Sequence, residues 1–146
     1  MLNPKKKGIG IFGGSFDPPH KGHVAISKIS FRKLRIKKVL WIITKKNPFK
    51  KKAYFSLQER ISKSNKLTKK YKFIDILHLE DKIKSSRTID IVNYFTKIKK
   101  QKDLYLILGS DNLLKFHKWT SWKKIVKLTK LVVFSRKGYD KKSKES

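Results

Sequence analysis

The stretch Gly13-Gly14-Ser15-Phe16-Asp17-Pro18-Pro19-His20-Lys21-Gly22-His23 decides the fold. Ahead of it, Ile9, Ile11 and Phe12 read as a short buried strand, and behind it Val24, Ala25, Ile26 and Ile29 open a helical pattern. Strand, glycine turn and helix form a phosphate-binding layout. A helix start leaves backbone N–H groups unpaired and carries the positive end of the macrodipole, while glycines let the backbone approach an anion closely. His20 and His23 add side-chain donors at the same point, and a protonated imidazole also neutralises charge that builds up during phosphoryl or nucleotidyl transfer.

Working outward, the chain alternates strands with helices. The first strand is expected over 8–13, a helix over 22–35, a second strand at Val39 to Thr44 and a third at Lys72 to Leu77. Ser56-Leu57-Gln58-Glu59 spells a capping box that starts a helix running to about Lys69, with Leu57, Ile61, Ser64 and Leu67 on one side. After the polar stretch Glu80 to Ser86, Thr88, Ile91, Phe95 and Ile98 recur at helical spacing. A strand at Asp103 to Leu108, a broken helical region through Trp119 and Trp122, and a strand at Leu131 to Phe134 complete the pattern. This is an α/β fold, a Rossmann-like, doubly wound parallel sheet of about five strands, with one domain over 1–139 and a basic tail over 140–146 expected to be disordered. Ligands of such sheets bind at the carboxyl ends of the strands, where the glycine stretch, the lysine loop after Thr44, Gly109 to Asp111 and Arg136 should converge.

Composition limits the function classes. The 146 residues carry a net charge of +29, no cysteine, and no apolar run near the ~20 residues of a membrane span. Disulfides, thiolate zinc sites and cysteine nucleophiles are excluded, and a cytoplasmic protein is the default. The charge invites a nucleic-acid reading. All but five of the 39 basic residues are lysines, however, isoleucine is abundant, and the lysines are spread along the chain. We read this as compositional drift, with no specific nucleic-acid site, although the charge would still steer anionic substrates inward.

The quoted stretch resembles the H-x-G-H signature of the nucleotidylyltransferase superfamily, and in its full length that of bacterial nicotinate-nucleotide adenylyltransferases. Leu108-Gly109-Ser110-Asp111-Asn112 followed by Phe116 and Trp119 is similar to a second signature of that family. The resemblance implies adenylyl transfer from ATP to nicotinate mononucleotide, giving deamido-NAD and pyrophosphate in NAD biosynthesis. It implies catalytic roles for His20 and His23 on the ATP phosphates, and ATP binding around Gly13, Gly14, Ser15, Phe16 and Gly22. Asp111 would help hold the nucleotide substrates, and Trp119 would stack on the pyridine ring, with Trp122 in the core.

Three further matches are shorter. Asn47-Pro48-Phe49-Lys50 resembles the family loop whose basic residue meets a substrate phosphate. Arg87-Thr88 resembles the segment near which the nicotinate carboxylate is recognised, although Thr88 reads equally as a helix N-cap. Val133 to Tyr139 resembles the strand that places Arg136 near the site. Mg²⁺ is expected to arrive with ATP and to be held by phosphate and water, with no protein metal ligands.

The resemblance covers about residues 8–139. Nothing after Arg136 matches the Ile-Ser-Ser-Thr-x-Ile-Arg type segment near the family's end, so a C-terminally shortened sheet is expected. That leaves a working enzyme with lysines in place of the lost clamp, a truncated product and an inactive copy all open. Two rivals also stand. One is another small nucleotidylyltransferase, such as the pantetheine-phosphate enzymes, which typically carry threonine where His20 stands; the other is a basic nucleic-acid-binding protein.

Overall fold

The computed structural model describes residues 6–45 and 53–135. Lys50, Arg136 and the tail 140–146 lie outside the described residues. The five expected strands are present as β1 (Ile9–Gly14), β2 (Lys38–Ile43), β3 (Ile74–Leu77), β4 (Leu104–Gly109) and β5 (Lys130–Phe134). They form one parallel sheet in the order β3-β2-β1-β4-β5. The order reverses between β1 and β4, which places the topological switch point beside the glycine stretch.

Buried parallel strands have two apolar faces, and β2 shows this most fully, with Val39 through Ile43 all buried. Phe12, Val39, Trp41, Ile43 and Ile107 pack under α1 (Lys21–Leu34) and α2 (Leu57–Thr68). On the other face, Ile11, Leu40, Ile42, Leu106 and Leu108 pack against Ile91, Val92, Phe95 and Ile125. Those partners belong to α4 (Thr88–Asn93), to the single π-helical turn Tyr94–Ile98 that continues it, and to α6 (Trp122–Leu128). Two short helices, α3 (Glu80–Ile83) and α5 (Ser110–Leu114), complete the set. The first occupies the stretch that reads from sequence only as polar.

Two local features differ from the sequence expectations, the buried face of α2 and the cap of α4. Ser56 caps α2 by accepting the Glu59 N–H at 3.1 Å. The most buried face of that helix, however, is Arg60, Ser64 and Thr68, while Leu57, Ile61 and Leu67 flank it half-buried. Thr88 is the first residue of α4 and Arg87 holds the cap position, with no side-chain cap bond, so Thr88 is not an N-cap. No helix among the described residues is long and apolar enough to cross a membrane.

Among the described residues, Gly8 is the one glycine with a left-handed φ. Its φ is +83°, and a Cβ there would stand 2.5 Å from the Asp103 carbonyl oxygen. The close approach registers β1 against β4, since Ile9 N–H donates to that same carbonyl at 3.0 Å. Gly8→Ala is expected to lower stability by about 1–3 kcal/mol through the left-handed backbone and the clash. Urea unfolding followed by tryptophan fluorescence measures it.

Candidate active site

The sequence at the start of α1 builds a hydrogen-bonded box from two imidazoles. His20 has extended backbone and its Nδ1 accepts the Gly22 N–H at 3.0 Å. In return, His23 Nδ1 accepts the His20 N–H at 3.0 Å. This is the reciprocal arrangement that Ser/Thr and Glu usually make, so the helix end has partners without any carboxylate beside it. With Nδ1 accepting in both rings, a neutral imidazole must carry its proton on Nε2. The ring centroids lie 3.9 Å apart.

His23 is held neutral. Burial, and secondarily the neighbouring His20, push its pKa down from 6.5 to about 3. Its ring lies 4.7 Å from Phe16 and 5.7 Å from both Phe12 and Trp41. The sequence-based idea of a protonated histidine neutralising charge is therefore corrected for His23: at neutral pH it offers an N–H donor without a charge. Trp41 strengthens the frame, donating Nε1–H to Ser27 Oγ at 2.8 Å, while that hydroxyl donates to the His23 carbonyl at 2.8 Å. The helix start is thereby tied to β2.

A cavity of 400 Å³ opens at the carboxyl ends of β1, β2 and β4, and neither His20 nor His23 is among its lining residues. Gly13, Gly14 and Ser15 line it from β1, Thr44 from β2, and Thr88 and Trp119 from the opposite side. A Cβ built on Gly13 would meet nothing within 4 Å, so the space beyond that backbone is open. Trp119 is half-buried: it packs on Phe116 at 5.1 Å at the edge of the core and also faces the cavity. Trp122 packs on Phe116 at 6.2 Å without lining the cavity, as its core reading expects. A wider groove of 860 Å³ between α1 and α2 holds none of the predicted site residues.

The predicted residues divide accordingly. Gly13, Gly14, Ser15, Thr88 and Trp119 share the cavity. His20 and His23 follow at the adjoining helix start, where the Gly22 N–H is already engaged with His20. The Phe16 side chain is only 2% exposed and stacks on Trp41 at 4.7 Å, so its ring serves the core and only its backbone reaches the turn. Asp111 stands exposed on the first turn of α5 outside the cavity lining, where Asn112 is the α5 residue present. Asn112 and the two cations Arg87 and Lys118 also line the cavity; the sequence reading quoted Asn112 and Arg87 within its motifs without a role of their own and missed Lys118. With no carboxylate among the described lining residues, the cavity is electrically suited to an anion.

A doubly wound parallel sheet with an imidazole-capped helix start and an anion-suited cavity at its switch point is the layout of a nucleotidyltransferase. Residues 11–146 match the Cytidylyltransferase-like family. The chain is 48% identical over 145 residues to a Pelagibacter ubique protein named probable nicotinate-nucleotide adenylyltransferase, covering 99% of this chain and 80% of that one. A Nitratiruptor protein of the same name is 41% identical over 132 residues, covering 90% of this chain and 75% of the other. In fold, the Plasmodium falciparum nicotinic acid mononucleotide adenylyltransferase complexed with NaAD superposes with a TM-score of 0.68 at 20% identity, over 88% of this chain and 75% of that one. The chain belongs to the nicotinate-nucleotide adenylyltransferase family.

The buried neutral His23 has a consequence for stability. Its pKa is 6.5 unfolded and about 3 folded, so below pH 6.5 the unfolded chain takes up a proton that the folded chain refuses. Stability from this group is constant above pH 6.5 and falls with acidification toward pH 3, by at most about 1.4 kcal/mol per pH unit. Asparagine can keep an acceptor for the His20 N–H, so the difference in unfolding free energy between wild type and His23→Asn should shrink as pH drops from 7 to 4. Denaturant unfolding at stepped pH tests it.

Proposed function

We propose that the protein transfers the adenylyl group of ATP to nicotinate mononucleotide, releasing pyrophosphate and giving deamido-NAD. The observation that carries this reading is the reciprocal His20–His23 box, whose Nδ1 atoms both accept backbone amides, at the start of the helix that follows the cavity-lining residues Gly13, Gly14 and Ser15. The acceptor's phosphate attacks the α-phosphorus of ATP in line, a bond to that phosphorus forms, and the bond to the bridging oxygen of pyrophosphate breaks. A phosphate monoester is already an adequate nucleophile, so catalysis consists of positioning and charge stabilisation, and no covalent enzyme intermediate is required.

In this reading His20 and His23 present Nε2–H donors to the triphosphate, and the open backbone from Gly13 to Ser15 lets it approach. Trp119 supplies an aromatic face for the pyridine ring, worth about 1 kcal/mol beyond area burial. Thr88 at the start of α4, with Arg87 and Lys118 in the same lining, suits the carboxylate of the acceptor. Asp111, Lys50 and Arg136 keep the roles that the family resemblance gives them as proposals only.

Mg²⁺ enters as part of the ATP substrate, bound by phosphate oxygens and water. The reading places the enzyme in the cytoplasm, where its soluble nucleotide substrates are.

Incubation with MgATP and either nicotinate or nicotinamide mononucleotide, with products separated chromatographically, tests the reaction. Deamido-NAD should accumulate in preference to NAD, and His20→Ala should lower kcat by ~10²-fold or more. An undiminished rate in that variant, or product only with phosphopantetheine as acceptor, contradicts the assignment. Gly13→Ala separates binding from folding: its methyl meets no protein atom within 4 Å, so stability should stay within about 0.5 kcal/mol of wild type while kcat/KM for ATP falls.

A further inference from the structure

Arg60 is only 2% exposed, and no carboxylate pairs with it among the described residues. A guanidinium cannot shed its charge, so its burial is costly unless other groups solvate it. Here backbone carbonyls do so. Nη1 donates to the Ser15 oxygen at 2.8 Å and to the Thr44 oxygen at 2.7 Å, Nη2 to the Lys45 oxygen at 2.7 Å, and Nε to the Phe55 oxygen at 3.1 Å.

The location of those carbonyls gives the arrangement its meaning. The β1–β2 ladder ends at the pair Gly14 and Ile43, with a last amide bond from Thr44 N–H to the Gly14 oxygen at 3.0 Å. Beyond it the two chains separate, and one rigid planar fork spans the gap between Ser15 and Thr44. Both of those residues line the cavity. Asp17 fixes the far side of the same junction, accepting the Tyr54 and Phe55 N–H groups at 2.7 and 2.8 Å.

We propose that Arg60 is a positioning residue for the nucleotide: its guanidinium sets the spacing of the β1 and β2 ends, so that the Ser15 and Thr44 walls stand ready for a triphosphate. The proposal rests on the reading of the cavity as the nucleotide site. An apolar or merely cationic side chain of similar length can fill the volume, but neither can hold carbonyls on three segments in one plane.

Arg60→Met and Arg60→Lys test this through readouts that overall stability does not move. Backbone amide exchange should accelerate at residues 14–16 and 44–45, while α1 and β4 keep wild-type protection. ATP affinity measured calorimetrically should fall about tenfold or more in both variants. The kcat should fall by ~10²-fold while KM for the acceptor is unchanged. Faster exchange spread evenly along the chain with ATP affinity intact would reduce Arg60 to a stabilising residue and overturn the proposal. So would wild-type behaviour of Arg60→Lys, since a single ammonium lacks the fork.

If neither variant folds, the wild-type protein decides. The Arg60 Nε–H resonance should shift on saturation with ATP, and an unmoved resonance overturns the proposal. Should the wild-type enzyme make no dinucleotide, the proposed reaction fails, while exchange and ATP binding still judge Arg60.

Discussion

A parallel sheet ends all its strands at the same edge, and every backbone group past the last ladder bond must find a partner there or remain unpaired. In this chain that constraint organises the whole functional edge. Carbonyls beyond β1 and β2 are gathered by the buried Arg60 guanidinium. Amides of Tyr54 and Phe55 are gathered by Asp17, and the open amides of α1 by His20 and His23. Charged side chains so near a core normally signal ion pairs. Here the cation serves carbonyls and the anion serves amides, so each is solvated by the backbone it holds in place.

The electrostatic character of the edge follows. Lysine is abundant everywhere, and its number alone distinguishes no surface. What distinguishes the cavity is position: a buried guanidinium behind two of its walls, Arg87 and Lys118 in its lining, and the positive end of α1 beside it. Neutral His23 fits this division of labour. His23 adds an N–H donor that needs no proton uptake at neutral pH beside the cations and the helix dipole.

Most of the architecture was legible because apolar periodicity and strand-end glycines are local signals. β1 and β2 fall within one residue of their expected bounds, and the strand–turn–helix reading of Gly13 to His23 is matched by β1 and α1, with Gly13, Gly14 and Ser15 lining the cavity. What was not legible depends on tertiary geometry. Arg60 sits in a helix whose packed side reads from sequence as Leu57, Ile61, Ser64 and Leu67, and nothing local reveals that four carbonyls converge on it. Asn112 and Lys118 reach the cavity only because α5 and the 3₁₀ turn at Phe116–Lys118 fold back over β4. The inward turn of Phe16 was equally hidden: its φ is +49° and its ring stacks on Trp41. Glu80 to Ile83 is helical without an apolar stripe of its own, so periodicity could not find it.

The central claim is that α1 begins in a pair of imidazoles whose Nδ1 atoms accept backbone amides, so that Nε2 is the protonated nitrogen each is proposed to present to a nucleotide. Nitrogen-15 NMR of histidine-labelled protein at neutral pH, titrated with ATP, tests it most directly. The account predicts unprotonated Nδ1 and protonated Nε2 in His20 and His23 before ligand is added, and a shift confined to their Nε2 resonances as ATP binds. A doubly protonated His23, or ATP shifts only at His78 and His117, would contradict it.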